Sequence, residues 1–213
     1  MIGIVDYGVG NLRSLRNAVD HVGLDVAVLT DPEALAACDR LILPGVGAFG
    51  SAAANLRARG FEAVVRAHAA AGKPLLGICV GMQLLADVGL EFGEHAGLGL
   101  IPGKVRPLES SREHPTPHVG WNDVTIQRKH AMFDVPSASA SPWGKKNVDY
   151  YFVHSFYFDA ANAEDVVALS EYGRSFPTVV ARKNVVGCQF HPEKSQAGGL
   201  AFLERFAEWD GTC

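Results

Sequence analysis

The stretch "KPLLGICVGMQLL", residues 73–85, decides the reading of this chain. An apolar run meets Gly77, then Cys79, then Gly81, then a second apolar run. The first run reads as a buried strand and the second as a helix. Strand, G-x-C-x-G, helix is the sequence form of a nucleophile elbow. A sharp turn lifts the side chain above the sheet edge, and flanking glycines leave room where side chains would collide. The residue after the nucleophile opens the helix, so the N–H of Val80 points outward, toward a developing oxyanion. A buried cysteine at a tight turn has the same pattern, so the chemical reading needs a base elsewhere.

The segment "GCQFHPEKS" supplies one, with His191 and Glu193 after an apolar strand. Strand alternation sends residues i and i+2 to one side, so Glu193 is expected to accept from one ring nitrogen of His191. The other nitrogen then faces the thiol. Pro192 between them restricts the backbone and has no N–H to satisfy. Cys79, His191 and Glu193 thus form a nucleophile, a base and an orienting group. An imidazolium partner holds a cysteine ionised below its free pKa of about 8.5. A second oxyanion donor is expected from "LILPGVGAFG", where Gly45, Val46 and Gly47 follow a strand and turn amides can line an anion site.

Outward from this stretch, strands alternate with helices through the first half. "IGIVDY", "DVAVLT", "DRLILPG" and "PLLGIC" read as strands. "NLRSLRNAVDHVG", "DPEALAA" (with Asp31 as N-cap and Pro32 at the first helical position), residues 51–72 and "MQLLADV" read as helices. Gly60 weakens the middle of the third. This alternation predicts a mostly parallel sheet with helices on both faces. The second half reads as antiparallel strands: "GKVRPL", "VGWNDVTI", "YYFVHSFYF", "VVALSEYG", "PTVVARKN" and "VVGCQFHP". A last helix, "GGLAFLERFAEW", follows them. No linker separates two units, so residues 1–213 are expected to form a single α/β domain. Residues 134–147 read as an exposed loop with Lys145 and Lys146 a solvated pair.

The 213 residues are 48% apolar and 20% charged, with a formal net charge of −4. That is globular composition with no basic signature for nucleic acid. No apolar run has the length of a membrane-crossing helix, and the N-terminus reads as a first strand rather than a signal peptide. Cys38, Cys79, Cys188 and Cys213 are irregularly spaced, which argues against a disulfide framework and a metal site. Cys38 and Cys188 read as core residues and Cys213 as a frayed end. A reducing, cytoplasmic location is expected.

The segments "IVDYGVGNLRS", "LPGVGAFG", "GICVGMQLL", "PHVGWN", "YFVHSFY" and "HPEKSQ" run in order along almost the whole chain. Together they resemble the class I (triad) glutamine amidotransferases, and within them the branch of glutaminase subunits of imidazole glycerol phosphate synthase. The resemblance implies a three-layer, flavodoxin-like fold and, with no cofactor, hydrolysis of glutamine to glutamate and ammonia by Cys79, His191 and Glu193. It implies oxyanion contacts from Val80 and the loop of Gly45, Val46 and Gly47, where a peptide flip around Val46 is tied to the partner. It implies substrate contacts at Gln83, Glu91, His154, Ser155 and Phe156. Gln83, one helical turn after Cys79, falls beside the nucleophile. The partner implied is a (β/α)8-barrel cyclase in a heterodimer, with Asn11, Trp121, Asn122 and Lys194 at the interface. A sequestered path between the subunits keeps ammonia neutral and nucleophilic. This chain has Phe156 where the family often has tyrosine, a longer loop at residues 134–147, and a loose match around Glu91. Trp121 is read equally as a core aromatic.

Other readings are weaker. Gly8 and Gly10 follow the first strand as in a dinucleotide-binding fingerprint, but Arg13 holds the third glycine position. The same glutaminase chemistry could serve a partner that amidinates sugars. A binding module would not need the intact triad, and a free-standing thiol hydrolase would not need "PHVGWN" and "HPEKSQ".

Overall fold

The computed structural model describes residues 1–133 and 148–213; the loop expected at residues 134–147, with Lys145 and Lys146, lies outside the described residues. The strands are β1 (Ile2–Val5), β2 (Val26–Leu29), β3 (Arg40–Leu43), β4 (Leu75–Ile78), β5 (Val88–Gly89), β6 (His95–Ala96) and β7 (Gly103–Pro107). They continue as β8 (His118–Ile126), β9 (Val148–His154), β10 (Phe156–Ala160), β11 (Val166–Glu171), β12 (Ser175–Arg182) and β13 (Val185–Cys188). The helices are α1 (Leu12–His21), α2 (Phe49–Ala58), α3 (Phe61–Ala70), α4 (Val80–Gln83) and α5 (Gln196–Glu208).

A nine-stranded sheet runs in the order β2-β1-β3-β4-β13-β12-β11-β8-β9. Its first five strands are parallel, and the rest join antiparallel. β1, β4 and β13 are buried along their whole length, as strands covered on both faces must be. The chain leaves β1 in one direction and β3 in the other. Right-handed crossovers therefore put α1 on one face and α2 and α3 on the other, and α5 packs beside α1. The parallel strands all end at one edge, and the loops after β1, β3, β4 and β13 converge there, where open α/β sheets bind ligands. A four-stranded sheet, β10-β7-β5-β6, flanks this edge.

Several predicted elements differ in detail. The helix expected over residues 51–72 is two helices, because Gly60 adopts φ +77° and caps the start of α3. A left-handed residue cannot continue a right-handed helix. Residues 33–37 form a 3₁₀ helix, with Asp31 Oδ1 accepting from the Glu33 N–H at 3.0 Å. The helix expected over "MQLLADV" starts earlier and is only α4, since turns and bends over residues 84–87 lead the chain into β5. "YYFVHSFYF" is two strands: at Ser155 the chain passes from β9 in the large sheet to β10 in the small one. The short strands β5 and β6 carry no readable alternation. Cys213 is exposed, yet its thiol donates to the Lys183 carbonyl at 2.8 Å, so the end is tied down rather than frayed. Among the described residues, no helix is long and apolar enough to cross a membrane.

Candidate active site

The elbow forms because β4 ends against the start of α4 with no intervening loop. Cys79 takes φ 54° and ψ −113°, a conformation that L side chains rarely adopt. A Cβ on Gly77 would lie 2.6 Å from the Gly81 carbonyl oxygen, and one on Gly81 would overlap the Leu43 carbonyl. The glycines thus make room for backbone. The Cys79 N–H donates to the Cys188 carbonyl at 2.8 Å, anchoring the elbow to the end of β13.

His191 is held by its backbone. Its N–H donates to the Tyr151 carbonyl at 2.9 Å, and Ser195 Oγ donates to the His191 carbonyl at 2.6 Å. His191 Nδ1 lies 2.9 Å from Glu193 Oε1, and both side chains are buried. The pairing arises from a 3₁₀ turn over Pro192–Lys194, not from the strand alternation that the sequence suggests, since β13 ends at Cys188. His191 Nε2 is buried and has no hydrogen-bond partner among the described residues. Burial alone pushes an imidazole pKa down, but the neighbouring Cys79 and Glu193 side chains outweigh it and raise His191 to about 10.

A cavity of about 250 Å3 opens onto Cys79 and His191, lined also by Val46, Gly47, Val80, Gln83 and Glu91, with His154, Ser155 and Phe156 along one side. Gly45 lies beneath it, so tight against α4 that a Cβ there would approach the Gly81 nitrogen at 2.7 Å. Tyr7 donates to the Pro44 carbonyl at 2.7 Å and holds this loop from below. Glu91, despite its loose sequence match, reaches the site: its Oε2 accepts from the Phe49 N–H at 2.7 Å, at the start of α2. The structure therefore gathers every residue read as nucleophile, base, oxyanion loop or substrate contact around one edge.

The carbonyl of Phe156 accepts from Gln83 Nε2 at 3.0 Å and from His154 Nδ1 at 2.8 Å. A carbonyl cannot donate, so His154 carries its proton on Nδ1 and accepts at Nε2 from His118 Nδ1, 3.0 Å away. His118 Nε2 then accepts from Asn122 Nδ2 at 3.4 Å, and the same nitrogen donates to the Glu171 carbonyl at 2.9 Å. Burial keeps both rings neutral, lowering His118 to about 4 and His154 to about 3. One directed chain of donors thus runs from Asn122 on β8 to the cavity wall.

Trp121 is 48% exposed, which excludes the core reading for it. It stands opposite Tyr151 across the β8–β9 pair, beside exposed Val119, and Lys194 Nζ lies 5.7 Å from the Tyr151 ring centroid. Asn11 caps α1, its side chain accepting from the Ser14 N–H at 3.4 Å. The sequence reading missed Pro117 and Val153, which line the cavity, and Gln189, which touches Cys79. Gln189 stands two residues before His191, which was the one available signal.

The fold and site are those of a class I glutamine amidotransferase. A family model described as glutamine amidotransferase class-I matches residues 3–208, and the chain belongs to that family. Within it, the chain is similar to imidazole glycerol phosphate synthase subunit HisH of Salinibacter ruber, 45% identical over 212 residues, covering 97% of this chain and 94% of that one. The subunit of the same name from Caulobacter vibrioides is 46% identical over 216 residues, with 98% of each chain covered. Solved structures share the fold: a crystal structure of a glutamine amidotransferase at TM-score 0.72 and 22% identity covers 97% of this chain and 98% of that one. PurLQS from Thermotoga maritima gives TM-score 0.73 at 19% identity, covering 97% of both.

Proposed function

We propose that this chain is the glutaminase subunit of an imidazole glycerol phosphate synthase, acting as one domain over residues 1–213. The observation that carries the reading is the buried His191–Glu193 pair at 2.9 Å with the free Nε2 of His191 at the cavity of Cys79. The Cys79 thiolate attacks the side-chain amide carbon of glutamine, and the carbonyl π electrons move to oxygen. Val80 and the loop of Gly45, Val46 and Gly47 supply N–H groups to that oxyanion. His191 gives its proton to the departing nitrogen, ammonia leaves, and a thioester remains. His191 then takes a proton from water, whose oxygen attacks the thioester, releasing glutamate and the thiolate. Glu193 holds the imidazole in the tautomer this needs. Gln83, Glu91, His154, Ser155 and Phe156 surround the amino-acid end of the substrate, with Glu91 paired to its ammonium.

The face of exposed Val119 and Trp121 and half-buried Tyr151, with Lys194 and Asn122, is the docking surface for a second subunit, and Asn11 extends it. That subunit is a cyclase with a (β/α)8 barrel, which receives ammonia along a closed path. The complex works in the cytoplasm, in keeping with four free thiols. Glutamate release from glutamine tests the reading, with the chain alone, with a liganded cyclase, and with Cys79→Ala. Strong stimulation by the cyclase, abolished by Cys79→Ala, is expected. Activity indifferent to the cyclase would move the assignment to a sugar-amidinating partner, and no activity in any arm would overturn the triad.

A further inference from the structure

Gln189 is fully buried in the turn between β13 and His191, and the reaction as derived above gives it no task. Its orientation is forced by its neighbours. The Phe156 carbonyl only accepts, so the Gln83 atom 3.0 Å from it is the amide nitrogen. That nitrogen also lies 3.1 Å from Gln189, so the Gln189 atom facing it is the acceptor, Oε1. The NH2 of Gln189 is thereby turned toward Cys79, with Nε2 3.7 Å from Sγ. An amide nitrogen has no lone pair to offer a thiol proton, so the sulfur accepts. Such a bond is strongest when the acceptor is charged. The Val153 carbonyl, 3.9 Å from the sulfur, only accepts and favours the protonated thiol. The main chain of Gln189 is fixed as well, its N–H donating to the Thr178 carbonyl at 2.9 Å.

We propose that Gln189 is a positioning residue for Cys79: its side-chain N–H holds the thiolate sulfur beside His191, and Gln83 locks the carboxamide in the orientation that does so. The thiolate is then held before any glutamine arrives, by a neutral donor that competes for no proton. Gln83 acquires two tasks, one toward the cavity and one toward the nucleophile. The inference rests on Cys79 being the nucleophile of the proposed reaction, but its test needs neither glutamine nor a partner.

The test is the rate of carboxamidomethylation of Cys79 by iodoacetamide against pH, read at that cysteine by peptide mass spectrometry. In this reaction the thiolate forms a carbon–sulfur bond and iodide leaves, so the rate follows the ionised fraction. Gln189→Met keeps the length of the side chain and removes the donor. The pH of half-maximal rate is expected to rise by about one unit. Thr178→Val disturbs the same region without touching the sulfur, and is expected to leave that pH unchanged. A wild-type profile in Gln189→Met protein with an intact melting transition overturns the proposal. Should Gln189→Met fail to fold, Gln189→Leu carries the test: it removes the same donor, the midpoint is expected to rise likewise, and an unchanged midpoint overturns the proposal equally. The reading of Cys79 as nucleophile fails separately, through glutamate release that survives Cys79→Ala.

Discussion

At the scale of single residues, the site depends on backbone that side chains would obstruct. Cys79 holds φ 54°, and the obstacle at Gly77 and Gly81 is main chain. A non-glycine residue held in such a region costs about 1–3 kcal/mol, supported by the surrounding structure. Cys79→Gly is therefore expected to be more stable than Cys79→Ala by about 1 kcal/mol, although both abolish the nucleophile. Urea denaturation of the two variants measures this, and equal midpoints would show that the elbow is unstrained. The need for space at both glycines is readable in G-x-C-x-G. The identity of what fills that space is not, because the Leu43 carbonyl arrives from a strand distant in sequence.

At the scale of elements, the β8–β9 pair carries the two buried histidines, in register as His118 opposite His154. Both are neutral when folded, at about 4 and about 3, against an ordinary value of 6.5. An unfolded chain takes up protons on these rings as pH falls through 6.5, while the folded chain does not. The stability they contribute is thus fully present above pH 6.5 and is lost as pH falls toward the folded values. Each ring contributes a slope of up to about 1 kcal/mol per pH unit over that window. His118→Gln is expected to be less stable than wild type at neutral pH, with the difference narrowing as pH falls from 6.5 toward 4. Chemical denaturation across that range checks it; a pH-independent difference would mean that His118 is not held neutral. The break of "YYFVHSFYF" at Ser155 is what brings His154 and Phe156 onto the cavity wall. A continuous alternating run gives no local sign of a change of sheet.

At the scale of the whole molecule, the exposed face around Trp121 is separate from the core. Trp121→Ala is expected to leave the melting transition of the isolated chain nearly unmoved, since surface substitutions stay within about 0.5 kcal/mol. The same change is expected to weaken binding of the cyclase by about 2 kcal/mol or more, as exposed tryptophans do when they anchor an interface. Calorimetry of both processes separates the roles, and a large loss of melting temperature would return Trp121 to the fold. The donor chain from Asn122 through His118 and His154 to Phe156 ends where Gln83 and Gln189 begin, so one set of hydrogen bonds runs from β8 to the nucleophile.

The alternation of the first half, the elbow at Cys79 and the pairing of His191 with Glu193 are all legible in the chain, because each rests on residues close in sequence. Local spacing also marks Gly60 as weak, though not that it divides α2 from α3. What only the tertiary structure decided is long-range. It set the reach of Glu91 to the start of α2 and the surface position of Trp121. It also turned Gln189 toward the sulfur, through a carbonyl on β10 and an amide on α4. Periodicity records which face of an element is apolar, whereas the direction of a hydrogen bond is set by partners that meet only when the sheets have closed.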